Sequence, residues 1–371
     1  MTVIIFLIVL AVLIFVHELG HFLVARWCGI RVDAFAIGFG PKIFSKKIGE
    51  TTYGLNLIPF GGYVKIFGEN PDDESINGED KARSFVHKSK LEQIAVLFAG
   101  IFFNFVFAWL LITIAYSFGV TTSVGDYPEY SDRMTNQKIM ITSISPGSPA
   151  EKAGLKAGDV IKSISTSKID IQAEGGLTLD SIRKFINTHG EDSVVVTYLR
   201  YGNIEEKAEA HPVKGIVEDK YAIGIAMDNV ATMRLPIHKS AIESFKFTKY
   251  AITATFSGLY DLVAGIFNGT SKLSSVTGPV GIAGLVGDAA KIGFSYLIMF
   301  TAMISINLGV INLVPFPALD GGRILFVMIE AIIRRSIKPI IANSVNAVGF
   351  GLLILLMIVV TYKDIAKLFI K

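Results

Sequence analysis

The chain has 371 residues, of which 51% are hydrophobic and only 18% charged, and its mean hydropathy is +0.52. That composition excludes a single soluble domain and fits a protein with several membrane spans. The net charge of +3, with no basic stripe and no zinc-finger spacing, gives no footing for nucleic-acid binding, and the one cysteine, Cys28, excludes an internal disulfide framework and any cysteine-rich metal site.

The first apolar run covers residues 2–25. No positive residue precedes it and no small-x-small cleavage site follows, so it reads as a retained transmembrane helix rather than a signal peptide. It is interrupted by His17, Glu18 and His21 in the stretch VLIFVHELGHFLVARW. Ionisable side chains within a span are costly and default to a functional reading. His17 and His21 are four residues apart and therefore lie on one helix face, where two imidazoles can share a metal ion. Glu18 projects beside that metal and can take a proton from water there. This is the H-E-x-x-H pattern of zinc hydrolases, in which zinc lowers the pKa of bound water and a carboxylate completes its activation. The alternative reading is polar packing inside a helix bundle.

After this span, loop 26–93 carries Arg26, Arg31, Lys42, Lys46 and Lys47 early, and Lys81, Arg83, Lys88 and Lys90 late. Residues 69–80, ENPDDESINGED, read as an acidic solvated excursion. A second span is expected at 94–118, a third at 292–314 and a fourth at 343–362, with Arg323, Arg334, Arg335 and Lys338 between the last two. The positive-inside rule places both basic loops in the cytoplasm and therefore both termini and segment 119–235 outside, against the mild contrary pull of Lys363, Lys367 and Lys371.

Segment 119–235 reads as a separate soluble α+β domain. KIMITSI (138–144) and VVVTYLRY (194–201) have strand character, and LDSIRKFINTHG (179–190) reads as an amphipathic helix stopped at Gly190. Residues 236–291 are expected to hold an amphipathic helix, apolar at helical spacing through 240–267, and a membrane-surface loop.

A catalytic zinc needs a third protein ligand and an open position. None of the other four histidines lies in a predicted span. Asp320, in NLVPFPALDGGRILF (312–326), is the strongest candidate. Pro315 and Pro317 must break the helix, Gly321-Gly322 permits an unusual backbone path, and irregular backbone at membrane depth survives only where protein or a cavity covers it. Both span one and span three run inward, so they deliver His17, His21 and Asp320 to similar depth. A helix cap near Arg323 is the competing role for Asp320. Glu330 is the third-ligand candidate if the protein is instead a chambered zinc protease acting on soluble peptides.

With HELGH in the first span, NLVPFPALDGG at the end of a late span and a soluble domain between them, nearly the whole chain resembles the bacterial site-2 proteases, and within them the regulator-of-sigma-E protease group. The resemblance implies an intramembrane zinc metalloendopeptidase with one Zn2+ per chain, held by His17, His21 and Asp320, with Glu18 as base and Asn312 helping to hold substrate. It implies a polytopic α-helical membrane fold with about four spans, a membrane-associated β-hairpin loop and one inserted extracytoplasmic PDZ domain. GLNLIPFGGYVKIFGE (54–69) is similar to the family's hairpin loop, whose residues here are Gly61, Gly62 and Tyr63. Such an edge can catch an unwound substrate as an added strand. SPGSPAEKAGLKAGDVIKSI (145–164) is similar to bacterial PDZ domains, and YAIGIA (221–226) has the shape of their carboxylate-binding loop, with Ile223, Gly224 and Ile225 presenting backbone N–H groups. The best-known members carry two such domains; here there is room for one. SVTGPVGIAG, before the third span, matches a family loop and receives no chemical role. The expected architecture is therefore 1–118 and 292–371 as the two halves of a membrane protease core, 119–235 as the PDZ-like domain, and 236–291 between. The expected partners are a single-span membrane protein substrate, such as an anti-sigma factor or a remnant signal peptide, the lipid bilayer of a bacterial inner membrane, and a peptide or protein ligand of the PDZ domain. A non-enzymatic PDZ scaffold is the alternative of another class, which leaves Glu18 inside the bilayer without a use.

Overall fold

The structure, a computed structural model, describes residues 1–70, 72–167, 169–172, 176–201, 203–217, 220–269 and 277–369. The chain divides into two units, the first comprising Met1–Thr113, Ala241–Ala290 and Leu297–Lys371, the second Ile114–Ser240 and Lys291–Tyr296.

The first unit begins with helix α1, Thr2–Trp27. It holds no proline and ends at Cys28, with Gly29 in the left-handed region (φ 66°). The chain then forms a long hairpin, β1 (Val32–Ile48) and β2 (Thr51–Ile66). Its register is double. Ala34, Phe35, Ala36 and Ile37 pair with Lys65, Val64, Tyr63 and Gly62 on one side and with Thr52, Tyr53, Gly54 and Leu55 on the other. The outer half, Phe44 to Ile48, pairs only with Leu55 to Thr51. The hairpin is therefore folded over on itself, which places Gly62–Ile66 at one edge. This edge lies on α1: a Cβ added at Gly62 would meet Ile14 Cγ2 at 2.9 Å and Glu18 Cγ at 3.4 Å, and the Phe35 ring sits 5.7 Å from Phe15 and 5.4 Å from Phe22.

A short helix α2 (Asp73–Asn77), capped by Asp72 and Ser75, leads to α3, Lys90–Phe118. Ser89 and Glu92 close its start: Glu92 Oε2 accepts from Ser89 N–H (2.8 Å) and Oγ–H (2.7 Å), and Ser89 Oγ accepts from Glu92 N–H (3.3 Å). α3 meets α1 at backbone distance, since a Cβ at Gly20 would lie 2.5 Å from Ala99 O.

In the second unit, strands β3 (Val120–Ser123), β4 (Met134–Ile144), β5 (Val160–Ser165), β6 (Asp170–Gln172), β7 (Val194–Arg200), β8 (Ile204–Ala210) and β11 (Ile225–Met233) form one seven-stranded sheet. Its order is β3-β11-β4-β5-β7-β8, with β6 on β5. Strands β9 (Val213–Val217) and β10 (Lys220–Ala222) pair separately. A short helix α4 (Pro149–Lys152) is N-capped by Ser148. Helix α5 (Leu179–Thr188) carries a Thr178/Ser181 capping box and buries Ile182, Phe185 and Ile186 against Ile141, Ile164, Val196 and Ile223. Asp159 is buried and held by Arg200 (Nη2 to Oδ2, 2.8 Å), an ion pair that ties the turn before β5 to β7.

The amphipathic stretch after this sheet forms α6, Ile237–Phe267. In the first unit its small polar face packs on α3: Trp109 Nε1 donates to Ala241 O (2.9 Å), and the Thr113 and Ser244 hydroxyls are 2.6 Å apart. The expected surface loop beyond it differs. Ser275 and Val276, the first residues of SVTGPVGIAG, lie outside the described residues, but Pro279–Ile292 is helix α7. Its four glycines, Gly281, Gly284, Gly287 and the preceding Gly278, mask the helical signal. Tertiary contact supplies what propensity lacks: Gly281 N–H donates to the buried Asp364 carboxylate (2.9 Å), for which the bare Gly278 and Gly281 leave room.

α8 (Phe294–Leu313) stops before Pro315 and Pro317. Asp320 then opens a separate helix, α9 (Asp320–Ile333), rather than ending the third span. The turn between requires Ala318 at φ 73°, and its N–H donates to Asn346 Oδ1 (3.2 Å) of α10, Pro339–Phe369. Gly321 and Gly322 are needed for this path. A Cβ on Gly321 would lie 2.4 Å from Leu313 O, and one on Gly322 would lie 2.2 Å from Phe316 O. Among the described residues, α1, α3, α8 and α10 are long and apolar enough to cross a membrane.

Candidate metal centre

Two helices of the first unit converge on one point. His17 and His21 come from the polar face of α1, and Asp320 comes from the first turn of α9. His17 Nε2 lies 3.1 Å and His21 Nε2 3.5 Å from Asp320 Oδ2, and the two Nε2 atoms are 3.3 Å apart. Tetrahedral zinc with ligands at ~2.0–2.1 Å separates neighbouring ligand atoms by ~3.4 Å, so the triangle has the size that one ion requires. Asp320 Oδ2 is buried and has no hydrogen-bond partner. A buried carboxylate oxygen left unpaired beside two imidazole nitrogens is costly by itself and is satisfied by a cation. The donor set, two imidazoles and one carboxylate, is that of a catalytic zinc site.

The shell behind these residues is equally specific. His21 Nδ1 is 2.8 Å from Val96 O. A carbonyl only accepts, so Nδ1 carries the proton and Nε2 presents its lone pair to the metal position. His17 Nδ1 is 3.1 Å from the side-chain amide of the fully buried Asn104. With the amide turned so that Oδ1 accepts from Nδ1–H, His17 adopts the same tautomer. Asn104 is itself placed by Ser305 of α8, whose hydroxyl donates to Asn104 O (2.8 Å). Gly100, one turn before Asn104, leaves the space that the two rings fill. We expect Gly100→Ala to weaken metal binding by at least about tenfold, the scale of losing an orienting contact. Its Cβ would lie 2.3 Å from His21 Nε2 and 2.8 Å from His17 Cε1. Metal titration of the folded variant checks this; wild-type affinity would show that the rings have room to move.

Glu18 stands outside the ligand triangle. It lines a cavity of about 460 Å³ together with His17, His21, Asp320, Tyr63 and Arg323. Gly62 and Tyr63 bring the hairpin edge into this cavity, and Gly61 takes φ 98° where a side chain would strike the Phe39 ring. Asn312 sits half-buried in the last turn of α8 and does not line the cavity. Glu330 is engaged elsewhere: Oε2 accepts from Lys90 Nζ (2.6 Å) and Oε1 from Ile337 N–H (2.8 Å). In the second unit, Ile223 is buried, Gly224 takes φ 85°, and both line a cavity of about 290 Å³ between α5 and β11, as does Ile225.

Gly100, Asn104 and the Glu69–Arg323 ion pair are absent from the sequence reading. Asn104 had a legible signal: it is a lone amide in an apolar span, the same argument that singles out Asn312. Arg323, the residue after the double glycine, reads in sequence as a topogenic charge or a neighbour of a cap, not as the partner of Glu69.

Two imidazoles and a carboxylate converging beside a second carboxylate outside the ligand set, among apolar helices, define a metallohydrolase centre of a membrane protein. The Peptidase family M50 profile matches residues 5–356. A protein of Clostridium perfringens (strain 13 / Type A) whose name proposes a zinc metalloprotease is 37% identical over 368 residues, covering 98% of each chain. Similarly named proteins of Campylobacter jejuni and Staphylococcus aureus (strain MRSA252) are 32% and 30% identical, covering 97% and 100% of this chain and 92% and 99% of their own. The chain belongs to peptidase family M50, the site-2 protease family, and is a metalloprotease of that class.

Proposed function

We propose that this protein is an intramembrane zinc endopeptidase that cuts single-span membrane proteins within or near their transmembrane segments, as in regulated intramembrane proteolysis of an anti-sigma factor or removal of a remnant signal peptide. The observation that carries the reading is the convergence of His17, His21 and Asp320 beside Glu18, with the two histidines and Glu18 on α1, a helix of spanning length, and Asp320 at the start of the shorter α9. A zinc ion held by these three residues would supply Lewis acidity toward the scissile carbonyl and acidify water at the site. Glu18 takes the proton from the attacking water and returns it to the leaving amine. A helical substrate exposes no peptide bond, so it must unwind first. The Gly62–Ile66 edge, lying against Glu18 and including Tyr63, offers a strand partner for the freed backbone. Asn312 is assigned to substrate holding on the resemblance alone.

The second unit supports a PDZ-like reading through its capped α4, its α5–β11 groove and the Ile223-Gly224-Ile225 turn, which would receive an extended peptide end. The proposed topology places the basic loops 26–93 and 321–342 in the cytoplasm of a bacterial cell, the termini and 119–235 outside, and the metal site toward the cytoplasmic half of the inner membrane.

The test is cleavage of a single-span substrate by the purified chain in liposomes. We expect a cut inside or beside the apolar segment by mass spectrometry, loss of cleavage on chelation and recovery with zinc. A cut confined to soluble peptides would favour the chambered protease reading, and no cut of any substrate would favour the scaffold.

A further inference from the structure

The metal cavity has a neighbour. A second cavity of about 370 Å³ lies between the 69–97 segment and the α9–α10 corner, and Glu69, Asn70 and Arg323 line both. Arg323 and Glu69 form an ion pair, and this pair stands with Asn70 where the two spaces meet. The volume is at the lower end of the range of ligand sites, about 300–1,000 Å³. Its walls are largely apolar, with Phe85, Leu97, Phe326, Val327, Ile337 and Ala342 among them.

The ionisable groups in those walls are already partnered. Glu69 holds Arg323, Lys90 holds Glu330 at 2.6 Å, and His87 Nε2 faces Ile76 O at 2.9 Å. Gln93 is likewise committed, its amide donating to Phe85 O (3.1 Å) and Lys88 O (3.0 Å). A charged guest would have to break one of these pairs or enter without a counter-ion, and either is costly. An apolar guest breaks none of these pairs and leaves water.

We propose that this second cavity is a side-chain subsite of the protease, selecting an uncharged apolar residue close to the scissile bond. The inference rests on the proteolytic reading of the metal centre. Successive side chains of an extended substrate are spaced ~3.3 Å along the chain and point to opposite sides. A chain lying along the Gly62–Ile66 edge can therefore direct one side chain past the Glu69–Arg323 pair while its neighbour points away. Its apolar walls, Phe326 and Val327 of α9 and Ala342 of α10 among them, favour leucine over alanine at this subsite through the extra apolar area that leucine buries.

The test uses the full chain in liposomes and a single-span substrate in which each of the three residues on either side of the cut is changed in turn to Ala, Leu or Asp. The wild type should prefer Leu over Ala at one position by about tenfold or more in kcat/KM, with Asp at that position cut slowest. Ala342→Phe, which fills the cavity from the half-buried face of α10, should bring the Leu-to-Ala ratio at that position near one and leave the ratios elsewhere unchanged. Ile337→Asn, which makes one apolar wall polar, should lower the same Leu-to-Ala ratio and leave the ratios elsewhere unchanged. Metal content reports whether each variant is folded, and either variant alone decides the matter. An unchanged profile, or an equal loss at every position with metal retained, overturns the subsite while leaving the protease reading standing. A wild type that cuts none of the substrates overturns both.

Discussion

Replacing Glu18 by Gln is expected to abolish peptide-bond cleavage while leaving the metal in place. Glu18 reaches the cavity that holds the ligand triangle but is not part of it, and the triangle already closes with His17, His21 and Asp320. Glutamine keeps the volume beside Gly62 and removes only the ability to accept and return a proton. General-base loss costs about 10²–10⁴-fold. Where a single carboxylate serves as base and then acid, the upper part of that range is expected. The measurement pairs a cleavage assay with elemental analysis of the same preparation. Loss of metal in the variant would move Glu18 into the ligand set, and wild-type cleavage would remove it from the chemistry.

The second large effect concerns the third ligand. Asp320→Ala is expected to lose the metal, and Glu330→Ala to keep it. Asp320 Oδ2 lies within 3.5 Å of both Nε2 atoms and has no other partner, whereas Glu330 is spent on Lys90 and on the backbone of Ile337. Removing a direct ligand should cost more than the roughly 10–100-fold in metal affinity that loss of an outer-shell partner costs. Competition with a chromophoric chelator reads both variants on one scale. If Glu330→Ala released the metal while Asp320→Ala retained it, the assignment of the centre would be reversed.

The metal centre was legible in sequence to an uneven degree, and the reason is the range over which each part acts. His17, Glu18 and His21 lie within little more than one helical turn, so the helix period alone places the two imidazoles on one face with the carboxylate beside them. Asp320 could be nominated because Pro315, Pro317 and the double glycine announce an irregular turn. Its conversion into the first residue of a new helix could not be read, because that depends on Gly321 and Gly322 packing against the carbonyls of Leu313 and Phe316. Gly100 looks in sequence like any small residue in a span. It matters only because α3 passes α1 closely enough for a methyl group to reach His21.

The sequence by itself determined the class of environment, the four apolar segments of spanning length, the paired histidines with their carboxylate, and the amphipathic helix within 179–190. These follow from length, period and local chemistry, which act over a few neighbouring residues. The tertiary structure alone decided the rest: the hairpin folded over so that Gly62 lies on Glu18, the tautomers set by Val96 and Asn104, helix α7 held by a carboxylate far along the chain, and a second cavity behind Glu69 and Arg323. Each of these depends on the distance between backbones that are remote in sequence. That distance is set by which side chains are missing at the crossing points, a property of pairs of segments that no single segment carries.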